Sequence, residues 1–133
     1  QYGEHHALEH SLKEYVDVFQ TGKGFYKLPG DKFEEIDHMK AASDALVFSK
    51  EMIGSGKYDL IVLDEIITAV MAGLLREEDV IELIRITPDK LHLVMTGRGA
   101  TSKMIEHADL VTNMQEIKHP FSKEQKAVKG VDF

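Results

Sequence analysis

The sequence contains no cysteine and no tryptophan, and only three of its 133 residues are proline. The absence of cysteine excludes disulfides, thiolate zinc sites, iron–sulfur clusters and cysteine nucleophiles, and it is typical of a protein in a reducing compartment. No apolar run approaches the roughly 20 residues that a membrane-spanning helix needs, and no signal peptide opens the sequence. We therefore expect a cytoplasmic protein that does not enter a membrane.

Positive charge is also scarce. Sixteen lysines and arginines stand against 23 aspartates and glutamates, and 16 − 23 gives a net charge of −7. A field of this sign repels phosphate backbones and anionic lipids, so binding to nucleic acid or to a membrane surface is not expected. Any anion must be bound by a local group of donors. With 43% apolar and 29% charged residues, the composition is globular, and the length predicts one domain.

Three short apolar runs, rich in branched residues, have the pattern of buried parallel strands. They occupy residues 58–63, 91–95 and 110–114. A fourth run, residues 15–20, alternates in polarity and is a candidate edge or half-buried strand. Parallel strands need crossover connections, so helices are expected between these runs.

Helical periodicity does separate the runs. Helices are predicted over residues 37–53, ended by Gly54 and Gly56, and over residues 66–75, 77–86 and 101–107. The predicted apolar face of the longest helix comprises Met39, Ala42, Ala45, Leu46, Ser49 and Met52. Alternating strands and helices predict a single α/β domain over residues 1–133, with a parallel sheet covered by helices on both faces.

The carboxyl ends of parallel strands are where ligands bind in such folds. Asp64 and Glu65 directly follow the run 58–63. Two carboxylates at a strand end suit Mg²⁺, which prefers oxygen ligands and shields bound phosphates. The alternative is that Asp64 only caps the following helix. The sequence leaves both interpretations open.

The run 91–95 is also followed by residues with a chemical use: Thr96, Gly97, Arg98 and Gly99. Glycines in a strand-to-helix turn free backbone N–H groups to point at an anion, and Arg98 adds a planar fork of donors. The same four residues are also common in ordinary turns. An anion site and a structural turn therefore remain alternatives.

Residues 22–33 contain three glycines and a proline, which predicts a functional or mobile loop. Its segment Gly24, Phe25 and Tyr26 is apolar and aromatic. Such a segment either packs against a flat hydrophobic ligand or folds back onto the core.

Taken in order, several short motifs resemble one family. They are Q-Y-G-E at 1–4, Gly24-Phe25, Y-D-L-I-V-L-D-E at 58–65, T-G-R-G-A at 96–100, A-D-L-V-T at 108–112, K-H-P-F at 118–121 and K-G-V-D-F at 129–133. The ordered set resembles the ATP:corrinoid adenosyltransferases, also called cob(I)yrinic acid a,c-diamide or cob(I)alamin adenosyltransferases, over essentially the whole sequence. The resemblance implies a P-loop NTPase-like (RecA-like) fold.

Members of that family begin with a strand, a P-loop, a helix and a second strand before the position of Gln1. The resemblance therefore implies that the sequence corresponds to the C-terminal portion of such a domain, without its N-terminal P-loop unit. We expect a truncated form of an active enzyme, because a parallel sheet without its P-loop strand leaves its neighbours unpaired. The alternative is a fragment that does not hold triphosphate.

The activity implied by the resemblance is adenosyl transfer in adenosylcobalamin synthesis or salvage. Reduced cobalt attacks the 5′ carbon of ATP, a cobalt–carbon bond forms, and triphosphate leaves. By resemblance, Glu65 and Asp64 are the catalytic carboxylates linked to Mg²⁺. Residues 96–99 match the nucleotide-binding loop, and Phe25, with Gly24 and Tyr26, matches the corrinoid-binding segment that excludes the lower axial ligand of cobalt.

The implied ligands are ATP and Mg²⁺, with a corrinoid as substrate, and the implied partners are a second copy of the chain and a transient reductase. Three departures from the family pattern leave fine contacts open: Lys27 replaces a frequent tryptophan, Ile67 an asparagine or threonine, and Asn113 a glutamate. The alternative function is a non-catalytic P-loop-like module that binds a nucleotide or a corrinoid.

Overall fold

The computed structural model describes residues 7–8, 10–22 and 34–120. These residues form two compact units, one from 7–8, 10–20 and 112–120, the other from 21–22 and 34–111. The second unit contains α1 (Glu35–Gly54), β1 (Leu60–Leu63), α2 (Ile66–Met71), α3 (Glu77–Ile86), β2 (His92–Met95) and α4 (Ser102–His107). Within the described ranges, no helix has the length and apolarity needed to cross a membrane. That the chain is one domain stays a prediction.

The two strands form a small parallel sheet, with Leu60 of β1 opposite His92 of β2. The predicted parallel α/β arrangement is confirmed, and each strand is slightly shorter than its apolar run. Burial alternates along β1: Ile61 packs into the core, whereas Leu60 and Val62 are 53% and 52% exposed. In the described residues the helices pack on the face of Ile61, and helices on both faces of the sheet stay a prediction.

Helix α1 confirms the predicted long helix, but its buried face differs from the prediction. Met39, which was placed on the apolar face, is 46% exposed. The buried residues of α1 are His38, Ala41, Leu46, Ser49 and Ile53. Small and apolar residues occupy two neighbouring stripes of this helix, about one position apart, so the spacing alone does not select the stripe that packs.

Helix α2 ends at Met71, four residues before its predicted end. Gly73 adopts a left-handed conformation with φ of 77°, which is readily available to glycine. Its backbone N–H donates to the Val70 carbonyl and the N–H of Leu74 donates to the Ala69 carbonyl, both at 2.9 Å. This pair of bonds is a Schellman motif, which satisfies the last carbonyls and ends the helix.

Helix α3, whose predicted bounds are confirmed, supplies three of the four large side chains that are fully buried among the described residues. Its residues Val80, Ile81 and Leu83 are at most 1% exposed. Leu83 packs with Ile61 of β1 and with α1, while Val80 and Ile81 pack with Met104 of α4. The helix therefore joins the sheet to the helices on its covered face.

The start of α3 carries a bidentate ion pair. Arg76 donates from Nε and Nη2 to the two carboxylate oxygens of Asp79, at 2.9 and 2.7 Å. These hydrogen bonds lower the pKa of Asp79 and raise the pKa of Arg76. A forked pair of this kind holds the first turn of the helix in one geometry.

Two predicted strands are wrong. Residues 110–114 and 15–20 form no strand, and Leu110, Met114 and Tyr15 are 85%, 91% and 83% exposed. Tyr15 lies in a turn, where the N–H of Val16 donates to the Leu12 carbonyl at 2.9 Å. A strand exists only through pairing with a neighbour, and neither segment has one within the described part of the chain.

Candidate functional site

The turns that follow β1 and β2 lie side by side at the same edge of the sheet. The N–H of Thr96 donates to the Leu63 carbonyl at 3.2 Å, and the N–H of Ile67 donates to the Thr96 carbonyl at 3.1 Å. These bonds continue the contact between the strands beyond their ends. They bring Asp64 and Glu65 next to the loop of residues 96–99.

The Thr96 hydroxyl joins both carboxylate residues. It accepts a hydrogen bond from the backbone N–H of Glu65 at 2.9 Å and donates to Oδ1 of Asp64 at 2.6 Å. Because a backbone N–H only donates, the single hydroxyl proton remains for Asp64. The interpretation of Asp64 as a helix cap is therefore not supported, since its Oδ1 binds the Thr96 hydroxyl and the residue at the cap position is Glu65.

The Thr68 hydroxyl makes a second bridge, which the sequence analysis missed. It donates to Oε2 of Glu65 and accepts from the backbone N–H of Arg98 at 2.9 Å. A threonine three residues after a glutamate lies on the same side of a helix, one turn further on. That spacing is the signal in the sequence that identifies the contact with Glu65, whereas the contact with Arg98 depends on tertiary structure.

Glu65 has an unusual backbone conformation. Its φ and ψ of 59° and 16° lie in the left-handed region, and it is the only described non-glycine residue with a positive φ. This conformation costs a non-glycine residue about 1–2 kcal/mol. The threonine contacts to its N–H and its carboxylate hold the residue there. Strained residues of this kind are concentrated at functional sites.

Gly97 and Gly99 allow the loop of residues 96–99 to approach α2 closely. Gly97 has φ of 134°, and a Cβ at this position would lie 2.6 Å from the Thr68 nitrogen and 2.9 Å from its Oγ1. At Gly99, with φ of 83°, a Cβ would lie 2.8 Å from Sδ of Met71. The sequence predicted that these glycines leave backbone N–H groups free for an anion. The N–H of Arg98, between these glycines, is bound to Thr68, and the anion site stays a prediction.

Side-chain oxygen atoms that can bind a metal lie at this edge, on Asp64, Glu65, Thr68 and Thr96. Both carboxylate residues are exposed. Mg²⁺ prefers such ligands, and in phosphate sites it takes one or two carboxylates and completes its shell with water and phosphate oxygens. The part of the chain described here has no group of three or more His, Asp or Glu residues placed to hold a metal. The residues therefore fit Mg²⁺ shared with a phosphate ligand, and not a closed protein cage.

The structure brings together the residues predicted from the ends of the two strands. Asp64 and Glu65 contact Thr96 directly, and Glu65 reaches Arg98 through Thr68. Gly97 and Gly99 pack against α2. The predicted corrinoid-binding residues Gly24, Phe25 and Tyr26 lie outside the described residues.

Fold and site together define a parallel α/β protein with a carboxylate and hydroxyl site where its strands end. The model of the family described as ATP:corrinoid adenosyltransferase BtuR/CobO/CobP matches residues 1–133. The chain therefore belongs to the ATP:corrinoid adenosyltransferase family.

Curated relatives agree with this assignment. A corrinoid adenosyltransferase of Sinorhizobium sp is 34% identical over 135 residues, which cover 98% of this chain and 60% of the relative. One of Pseudomonas aeruginosa is 37% identical over 127 residues, covering 96% and 61%. One of Escherichia coli K12 is 31% identical over 85 residues, covering 64% and 43%. The chain thus spans about three fifths of the length of the first two relatives.

Proposed function

We propose that the natural full-length protein transfers the 5′-deoxyadenosyl group of ATP to the cobalt of a reduced corrinoid and releases triphosphate. Family membership and the names of the relatives support this activity. The structural observation that carries the proposal is the joining of Glu65 to the Arg98 loop by the Thr68 hydroxyl. It unites an acidic strand end and a cationic loop in one place, as a polyphosphate site requires.

In the proposal, the site neutralises the negative charge of the leaving triphosphate. The net charge of −7 opposes anion binding, so local cations are needed. Arg98 supplies a guanidinium, and Mg²⁺ bound at this edge would neutralise phosphate oxygens. The threonine contacts use one oxygen each of Asp64 and Glu65. In the proposal, the other oxygens orient the cation, with Glu65 as the principal ligand, and residues 96–99 bind the nucleotide.

The corrinoid end of the reaction is assigned by family resemblance. Cobalt must lose its lower axial ligand to become a strong nucleophile. We assign the exclusion of that ligand to Phe25, assisted by Gly24 and Tyr26. Since Lys27 stands where the family often has tryptophan, the apolar surface beneath the corrin is assigned to Phe25 and Tyr26 alone.

The remaining features of the family are proposed at the level of the whole protein. We propose a P-loop NTPase-like (RecA-like) fold, a single α/β domain, a homodimer and a transient reductase that delivers the reduced corrinoid. The exposed apolar residues Leu60, Val62 and Val94 give further elements of a larger sheet a surface to pack on. A cytoplasmic location suits a substrate that must stay reduced.

The test is anaerobic incubation of the full-length protein with ATP, Mg²⁺ and chemically reduced corrinoid, followed by absorbance of the new cobalt–carbon bond. Glu65→Gln removes the charge and keeps the shape of the side chain. We expect it to lower adenosyl transfer at least about tenfold with folding intact, because it weakens neutralisation of the leaving group.

Glu51→Gln, at an exposed position of α1, is the matched control and should retain wild-type turnover. No transfer by the wild-type protein would contradict the proposed function. Wild-type turnover in Glu65→Gln would leave the activity in place and remove Glu65 from the site.

A further inference from the structure

We propose that Thr68 is a positioning residue that couples the Glu65 carboxylate to the backbone of the Arg98 loop. The proposal rests on the role of Glu65 in the proposed function. Thr68 itself is not assigned to substrate: it acts through the two groups that its hydroxyl joins.

The direction of the hydrogen bonds follows from elementary chemistry. The backbone N–H of Arg98 has no lone pair, so the Thr68 oxygen must accept there. The hydroxyl has one proton, and Oε2 of Glu65 receives it. The order is therefore amide to hydroxyl to carboxylate. This order makes Oε2 of Glu65 an acceptor and leaves Oε1 without a part in the bridge.

Thr96 makes a corresponding bridge from the turn after β2 to the turn after β1. The N–H of Glu65 donates to its hydroxyl, and the hydroxyl donates to Asp64. Each threonine thus takes a backbone amide from the other strand's turn and orients a carboxylate after β1. Because two hydroxyls cross-link the turns, the position of the carboxylates depends on the position of the Arg98 loop.

The Arg98 loop approaches α2 closely at Thr68. A Cβ on Gly97 would lie 2.6 Å from the Thr68 nitrogen, so the loop approaches α2 at van der Waals limits. Removal of the hydroxyl leaves the Arg98 amide and the Glu65 oxygen without this shared partner. We infer that both then lose their fixed geometry together.

The test compares Thr68→Val, which removes the hydroxyl and keeps the branched shape, with Thr68→Ser, which keeps the hydroxyl. Amide hydrogen exchange of Arg98, read by NMR on the protein without ligands, should become about tenfold faster in the valine variant and stay within about threefold in the serine variant. Exchange of amides between β1 and β2 reports whether each variant is folded. Thr68→Ala replaces the valine variant if the latter does not fold.

Thr87→Val is the matched control. The Thr87 hydroxyl donates to the Leu83 carbonyl at the end of α3, at 2.7 Å, so its removal also costs one hydroxyl bond. We expect this variant to leave Arg98 exchange unchanged. If Thr68→Val also leaves it unchanged, or if serine fails as valine does, the positioning role is wrong.

A kinetic comparison separates this proposal from the proposed function. In full-length protein, Thr68→Val should lower kcat/KM for ATP at least about tenfold, with recovery to within about threefold in Thr68→Ser. Absence of transfer in all proteins, together with the expected exchange pattern, would refute the adenosyltransferase assignment and leave the coupling by Thr68 intact. Normal kcat/KM in the valine variant, despite faster Arg98 exchange, would refute the functional use of the coupling.

Discussion

At the scale of single residues, the site consists of two carboxylates fixed by two hydroxyls. Glu65 adopts a left-handed backbone that is unfavourable for its residue type, and Thr96 and Thr68 hold its amide and its carboxylate. The strain is compensated by contacts across two strand ends. The conformation of Glu65 therefore depends on both turns and not on its own turn alone.

Gly97→Ala tests this dependence. The new Cβ would clash with the backbone nitrogen of Thr68 and would occupy a left-handed conformation. We expect a loss of at least about 2 kcal/mol in the free energy of unfolding, measured by urea denaturation, together with reduced adenosyl transfer.

Gly54→Ala is the control for that substitution. A Cβ on Gly54, the last residue of α1, meets nothing within 4 Å. This variant should be neutral or more stable by up to about 1 kcal/mol. Equal losses in the two glycine variants would mean that the Gly97 approach does not constrain the site.

The sequence was sufficient to predict that Asp64, Glu65 and the loop 96–99 lie close together, because the ends of parallel strands meet at one edge. It was not sufficient for Thr68, whose second contact joins residues that are 30 positions apart. The contact of the Arg98 amide with Thr68 on α2 has no signature in the local sequence.

At the scale of elements, α3 stabilises the unit that carries the site. Leu83 is fully buried against β1 and α1, and Val80 and Ile81 pack on α4 and near α2. The two turns of the site emerge from strands that this helix supports. Its integrity is therefore a condition for the position of the carboxylates.

Leu83→Ala should lower the free energy of unfolding by about 2–5 kcal/mol, since it leaves a cavity in the core. Ile86→Ala lies on the same helix, where Ile86 is 42% exposed, and should cost less than about 1 kcal/mol. Urea denaturation of both variants makes the comparison. Similar costs would contradict the role of Leu83 as a core residue.

Asp79→Asn tests the start of α3 and its dependence on pH. The Arg76 hydrogen bonds lower the pKa of folded Asp79 below its ordinary value of 3.8. The ionised carboxylate therefore stabilises the fold above that value, and the contribution is lost as the pH falls through the lower pKa of the folded state. We expect the variant to be less stable at pH 7, with the difference narrowing towards about pH 3.

Arg76→Gln should cause a similar loss at pH 7, and the double variant should lose little more, because both changes remove one ion pair. Urea midpoints measured against pH give the comparison. A difference between Asp79→Asn and wild type that stays constant down to about pH 3 would exclude the ion pair as its cause.

Elements with strong local signals were predicted well. The acidic first turn and apolar period of α3 indicated its bounds. The sequence left Thr101 and Ser102 as alternative caps of α4, and the structure selects Thr101, whose hydroxyl accepts from the N–H of Met104 at 3.2 Å. The strand predicted at residues 110–114 was wrong because an apolar run forms a strand only where it can pair with a neighbouring strand. The predicted end of α2 was wrong because Gly73 adopts a left-handed conformation that ends the helix earlier.

At the scale of the whole molecule, the family assignment and the site support one account. The family match covers residues 1–133, and in the described turns Thr68 joins the Glu65 carboxylate to the backbone N–H of Arg98. Family resemblance suggested the activity, whereas the rule for parallel strands suggested where the site lies. Under the proposed function, Glu65 and Arg98 act on the same phosphate-bearing ligand.

A double-mutant cycle tests this claim most directly. It measures kcat/KM for ATP in full-length wild type, Glu65→Gln, Arg98→Ala and the double variant, under anaerobic conditions with reduced corrinoid. Residues that act in one site are not additive, so we predict that the double variant loses clearly less than the product of the two single losses. Losses that multiply would contradict the account, because they would mean that the two residues act independently.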